Sequence, residues 1–289
     1  MAIPYYIFAW IASALFGVEA IIGKLTSKYM ISNVWLFNFI WNFALALMIL
    51  PFAVHYGQVS FHFSWHLILA SLLYAAAGVL YLICLFRMDI SVLSPLYNFR
   101  TWFAVILGAL FLHEVLTGWQ YLLIAFMFVA GIFAVMDESW NIRSFFTKNI
   151  GLAMLQMLVL AFEALFINLS IKDIGFWGTT LWIAIIGQII LVATLPLFWK
   201  ELFRVTPKQL GACILMAAAG TLGTIAVNKA YQTNISITSV IISVPLSMIA
   251  AYVLSIFAPK LLEKHTHKVY LVRFAAAALM IIGAIQLTR

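Results

Sequence analysis

The sequence predicts an all-α membrane protein whose ten transmembrane helices form two inverted five-helix repeats. Three observations lead there. Of 289 residues, 66% are hydrophobic and only 9% charged, with a mean hydropathy of +1.10, which no soluble domain of this length could keep solvated. The apolar residues gather into ten runs, each near the ~20 residues a helix needs to cross ~30 Å of hydrocarbon. Landmarks in the first five runs then recur, in order, in the last five.

The runs are 4–23, 34–55, 66–86, 90–112, 118–136, 150–171, 178–198, 209–231, 235–257 and 270–287. The first reads as a span rather than a signal peptide, because the leading MAIP carries no Lys or Arg and no small-residue cleavage site closes the run. Cys84 and Cys213 both fall within spans, which argues against a disulfide framework or a metal site. The formal charge of +7 is assigned to the loops and not to nucleic-acid binding. Loops after odd-numbered spans, with Arg273 just inside the last span, hold nearly all the Lys and Arg outside the spans, and the opposite face holds only Lys172 and Arg289. By the positive-inside rule the richer face is cytoplasmic and both termini lie outside.

AAAG at 75–78 in the third span returns at 217–220 in the eighth, and Pro51 and Pro196 close the second and seventh. Ile90-Ser91 opens the fourth span as Ile235-Ser236 opens the ninth. LHEVLT (112–117) is matched by LLEKHT (261–266), and Gly131 by Gly283. The spacing between partners drifts slowly, as small loop insertions make it do. Residues 1–137 and 147–289 are therefore the two repeats, and 138–146 connects them. An odd number of spans per half turns the second half upside down. Inverted repeats of this kind place a solute site at their interface and expose it alternately by rocking. The alternative is a duplicated scaffold with no path through it.

The stretch LSPLYNFRTWFAVILGALFLHEVLTGWQYLLIAFMFVAGIFAVM (93–136), with Pro95, Glu114, Leu116-Thr117 and Gly131, resembles the EamA type of the drug/metabolite transporter superfamily. VPLSMIAAYVLSIFAPKLLEKHTHKVYLVRFAAAALMIIG (244–283) repeats the pattern with Pro245, Glu263, Thr266 and Gly283. The resemblance covers essentially the full chain and rests on structural motifs. It implies a ten-helix transporter of two EamA-like halves, export as the direction, and both termini in the cytoplasm, the reverse of the orientation that the loop charge gives. The first span is also similar to the small multidrug resistance proteins of the same superfamily, in which a first-helix glutamate is shared between proton and drug. Glu19 is the matching residue here.

Charged side chains within spans cost ~2.5–3.5 kcal/mol at the helix centre on insertion scales, and they commonly face an interior cavity. Four stand out: Glu19, Arg100, Glu163 and Lys229. The two acids occupy the first span of each half and are expected to face each other across the pseudo-twofold axis. A carboxyl desolvated by lipid and protein, beside a like charge, holds its proton more readily, and such a group can exchange a proton for a solute. The competing reading is a buried ion pair of Glu19 with Lys229 or Arg100 that fixes helix packing. Lys24, five residues along the helix, is a poor partner. Lys229 lies close enough to its span end to snorkel, whereas Arg100 either pairs or binds a solute.

On the fourth helix Leu93, Leu96, Tyr97, Arg100 and Ala104 share a face. Pro95 interrupts that helix, and Pro245 interrupts the ninth, freeing the Ile241 carbonyl from its usual donor. Broken helices favour transporter sites, although a packing kink is the plainer alternative. Asn228, with Gln156, Thr224, Ser243 and Ser247, is a further candidate for the path; such residues also bond between helices without any solute. Deep aromatics, among them Tyr74, Tyr81 and Tyr97, would suit a quaternary ammonium or an aromatic solute.

His55, His62 and His66 cluster near the second loop without a carboxylate or cysteine at ligand spacing, and no glycine-rich phosphate loop is present. The chain is therefore not expected to be an enzyme, and no cofactor or metal is expected. The expected function is secondary active transport of a small polar organic solute, an amino acid or related metabolite, by alternating access with possible proton coupling. An importer of a quaternary amine, a flippase for a lipid-linked headgroup and a non-transporting scaffold are the alternatives. Expected partners are the solute, the bilayer and protons, with no nucleic acid, for a monomer or homodimer in a bacterial plasma membrane.

Overall fold

The computed structural model describes residues 4–135, 147–257 and 267–287, all helix or short connection with no strand among them. The connecting segment 138–146 and the signature residues Glu263 and Thr266 lie outside the described residues. The helices are α1 (Tyr5–Tyr29), α2 (Val34–His55), α3 (Trp65–Arg87), α4 (Ile90–Leu96), α5 (Asn98–Leu112) and α6 (Gly118–Val135). They continue as α7 (Lys148–Ile174), α8 (Phe176–Val192), α9 (Trp199–Leu202), α10 (Pro207–Tyr231), α11 (Ile235–Ile242), α12 (Leu246–Phe257) and α13 (His267–Leu287). Among the described residues seven stretches are long and apolar enough to cross a membrane, two of them running through the breaks at 92–112 and 235–254. Three shorter apolar helices occupy Gly118–Phe133, Phe176–Val192 and Leu271–Gly283, overlapping the fifth, seventh and tenth apolar runs. The chain is an all-α integral membrane protein.

Helix starts follow their capping side chains. Asn33 accepts from the Trp35 and Leu36 amides to open α2, and Asn234 accepts from the Ile237 amide to open α11. Thr206 and Gln209 close a capping box on α10 with Pro207 in its first turn. Between α7 and α8 the chain turns on Gly175 alone, whose φ of 83° is open to glycine at little cost.

Helix α1 runs six residues beyond the predicted end of its run, so Lys24 and Lys28 are helical and not loop charges. Lys24 is buried. Its ammonium donates to the Leu85 carbonyl at 3.0 Å and the Met88 carbonyl at 2.7 Å, at the C-terminus of α3. Those carbonyls have no intrahelical partners, and a cation there also meets the negative end of the helix dipole.

Packing relies on small residues, as expected where lipid removes the usual apolar driving force between helices. α1 lies along α10, and α7 lies along α3. α10 and α3 pack in turn against α2 and α8, and α6 pairs with α13. Close approach follows from glycine: a Cβ on Gly23 would stand 2.9 Å from both Leu85 and Met216, and one on Gly223 would stand 2.7 Å from the Phe16 ring.

Both predicted helix breaks are present. Tyr97 separates α4 from α5 two residues after Pro95, and Pro245 lies in the gap between α11 and α12. The Ile241 carbonyl is not left free as expected, because it accepts from the Val244 amide at 3.2 Å in a tighter turn. The two breaks also touch. Ser247 donates to Ser94 at 2.7 Å, and Thr101 donates to Ser243 at 3.2 Å.

Candidate functional site

Where the broken helices meet α1, α2, α3 and α7, they line a partly open cavity of about 180 Å³. One buried water needs ~10–15 Å³ measured in this way, so the space admits several waters or a small organic molecule. Glu19, Glu163, Arg100 and Tyr97 all line it. Three of the four charged residues that stand out within the spans, Glu19, Arg100 and Glu163, thus share one cavity, together with Tyr97 from the broken helix.

The two carboxylates are not equivalent. Glu19, on α1, is buried with 6% exposure; its Oε1 accepts from Trp41 Nε1 at 3.1 Å. It lies so close to α10 that a Cβ on Gly220 would collide with it, which gives the second AAAG motif a physical reason. Glu163, on α7, is buried to 9% exposure, and its Oε2 has no hydrogen-bond partner. Among the described residues no basic nitrogen lies within 4.0 Å of either carboxylate, so the buried ion-pair reading of Glu19 fails here.

Arg100, at 8% exposure, enters from α5 just after the break. Its Nη2 donates to the Leu160 carbonyl at 3.3 Å and to the Tyr231 hydroxyl, while Nε has no partner. The guanidinium also lies 5.7 Å from the centre of the Tyr231 ring. Leu160 is three residues before Glu163, so Arg100 reaches α7 within a turn of that acid. Tyr97 accepts from Gln156 Nε2 at 3.1 Å, and the Gln156 Oε1 is left without a donor. The expected shared face of the fourth helix splits at the break: Leu93, Leu96 and Ala104 enter the apolar core, whereas Tyr97 and Arg100 face the cavity.

The remaining candidates separate. Asn228 lines a smaller adjoining cavity of about 90 Å³ that shares Arg100 and Glu163, and it donates to Thr180 at 3.3 Å. Lys229 is exposed, with its ammonium 5.6 Å from the centre of the Phe176 ring near the start of α8, and it lines neither cavity. Its position near the helix end lets the long side chain reach outward, away from both cavities. Trp41 and Tyr231 also shape the site and carry no motif in the sequence, whereas Gly220 closes the second AAAG motif. A tryptophan in the middle of an apolar run beside Asn38 and Asn42 was the available signal for the first.

His66 does find a carboxylate: its Nδ1 lies 2.7 Å from Asp173, which also accepts from Ser64 at 2.5 Å. Here the acid stands between serine and histidine. In a nucleophilic triad the histidine stands between the other two, so Ser64 has no base to activate it. The cluster ties the start of α3 to the end of α7 at an exposed edge.

No family model matches the sequence, and no curated protein matches it. A protein of known crystal structure superposes on it with a TM-score of 0.71 at 10% sequence identity, over 97% of this chain and 94% of that one. At that identity the likeness carries the fold alone.

Proposed function

We propose that this chain is a secondary transporter of the EamA-type drug/metabolite class, moving a small polar organic solute by alternating access, with an amino acid or related metabolite as cargo. The observation that carries the proposal is the single cavity that gathers Glu19, Glu163 and Arg100 at the crossing of two proline-broken helices. Carboxyl groups buried without an ion-pair partner have little reason to be kept in a packed scaffold, where burying a polar group that lacks its partners is costly. In a solute pathway they are counter-charges and proton carriers.

The packing supports two inverted five-helix halves. Exchanging α1 with α7 and α3 with α10 turns the contact of α1 on α10 into that of α7 on α3. The same exchange, with α2 for α8, turns the contact of α2 with α10 into that of α8 with α3. The interrupted helices α4–α5 and α11–α12 meet each other at their breaks, as elements beside a pseudo-twofold axis do. In this reading Glu19 and Glu163 carry protons, Arg100 holds an anionic group, and Tyr97 shapes the wall. Export across a bacterial plasma membrane, with the basic loops cytoplasmic, completes the proposal. The aromatic wall, with Trp41, Tyr74, Tyr81 and Tyr97, supports a second reading in which the cargo is an organic cation.

Thermal unfolding of the purified protein against a panel of amino acids and amines tests the reading. A ligand at ~100 times its dissociation constant adds ~2.7 kcal/mol to the stability of the folded state. Stabilisation by amino acids supports the first cargo, and stabilisation by amines alone supports the second. If no soluble compound stabilises the protein, the transport reading gives way to a lipid-headgroup flippase or a scaffold.

A further inference from the structure

The polar atoms left without partners specify what the cavity wants. Glu163 Oε2 and Gln156 Oε1 are buried acceptors with no donor, and Arg100 Nε is a buried donor with no acceptor. All three side chains line the cavity and are at least nine-tenths buried. Gln156 and Glu163 are seven residues apart, two turns along one face of α7. Tyr97 accepts from the other end of the Gln156 amide, so Oε1 is the end without a partner. The Tyr74 and Ser13 hydroxyls, also buried and unpartnered, line the same wall. Buried polar groups are nearly always paired, and although unpartnered buried atoms also occur elsewhere in the bundle, these five side chains line one cavity and fit a polar ligand there.

Resting on the transport reading, we infer that the cargo is an N–H-bearing ammonium compound, primary or secondary, whose nitrogen docks on Glu163 and Gln156. Glu19 is not the docking acid, because Trp41 already donates to it and α10 closes against it at Gly220. A quaternary ammonium brings positive charge and suits the aromatic wall, but it offers no N–H, so both acceptors on α7 stay unpaired. A site built to hydrogen-bond its substrate rejects an analogue lacking the donors far more strongly than an apolar pocket rejects an extra methyl. Arg100 Nε adds a place for an acceptor at the other end, so an amino acid binds more tightly than the amine it would become on losing its carboxylate.

The test measures affinities of the full-length protein for phenethylamine, its N,N,N-trimethyl derivative, L-phenylalanine and N,N,N-trimethyl-L-phenylalanine. Each trimethyl compound is expected to bind at least ~10-fold more weakly than its parent, the lower end of what losing a charged hydrogen bond costs. In Glu163→Gln that discrimination should shrink towards equality. Equal or tighter binding of the trimethyl compounds by the unmodified protein overturns the inference and leaves transport of an organic cation standing. Full discrimination in a folded Glu163→Gln variant overturns the assignment to Glu163. Binding of none of the four, together with no stabilisation by any other soluble solute, overturns the transport reading and this inference with it. The comparison in the unmodified protein decides the matter even if the variant does not fold.

Discussion

Removing the Glu114 carboxylate should destabilise the protein through a helix in the opposite half of the chain. Glu114 follows α5, yet it accepts from the Ile235 amide at 2.6 Å, the Ser236 amide at 3.1 Å and the Ser236 hydroxyl at 2.5 Å, at the first turn of α11. Those amides belong to a helix N-terminus, where no intrahelical acceptor exists and negative charge is favoured. Hydrogen bonds to a charged group contribute ~1.5–3 kcal/mol each when buried. With Glu114 half-buried at the rim, Glu114→Ala is expected to cost about 2–4 kcal/mol in total, and Glu114→Gln, which keeps one acceptor, about half. Gly108→Ala acts on the same spot, since a Cβ there would stand 2.6 Å from Glu114 Oε2 and 2.7 Å from Ser236 Oγ. Its cost should therefore fall in the Glu114→Ala background, a non-additivity typical of touching groups. Reversible unfolding in mixed micelles measures all four variants. A Glu114→Ala cost under ~0.5 kcal/mol, within the range of ordinary surface changes, would refute the capping role. So would full additivity with Gly108→Ala.

Two further predictions concern the cavity. Glu19→Gln keeps an acceptor for Trp41 and so should leave the protein folded, while abolishing proton-coupled flux in proteoliposomes. Undiminished coupling would remove Glu19 from the proton path. Lys229→Met should leave solute affinity within about twofold, because the ammonium is exposed beside Phe176 and outside both cavities. A tenfold loss, ~1.4 kcal/mol, would return Lys229 to the site.

The positions of the helices and of the central charges were legible from local patterns. An acid or a guanidinium inside an apolar run signals itself, because lipid makes it expensive wherever the helix is rotated. That is why Glu19, Arg100 and Glu163 stand out in the sequence, and why Pro95 and Pro245 mark the breaks. The partners of those charges were not legible. Trp41 and Gly220 look like ordinary apolar-run residues until α2 and α10 are turned against α1, and that rotation is set by packing among helices that are apolar on nearly every face. Lys24 misled as a loop charge, since nothing local says that α1 continues far enough to place its ammonium at the end of α3. Lys229 misled in the opposite way. Its position in a span suggested burial, whereas its closeness to the helix end let it reach outward.

Counterflow in proteoliposomes tests the central claim most directly. Vesicles loaded with a millimolar amino acid are diluted into trace radiolabelled amino acid, and label accumulation is followed for the unmodified protein and for Arg100→Gln. The account predicts transient, saturable accumulation of at least one amino acid above empty vesicles, lost or strongly weakened in Arg100→Gln. No accumulation of any amino acid or amine, with protein that is folded and inserted, would contradict it.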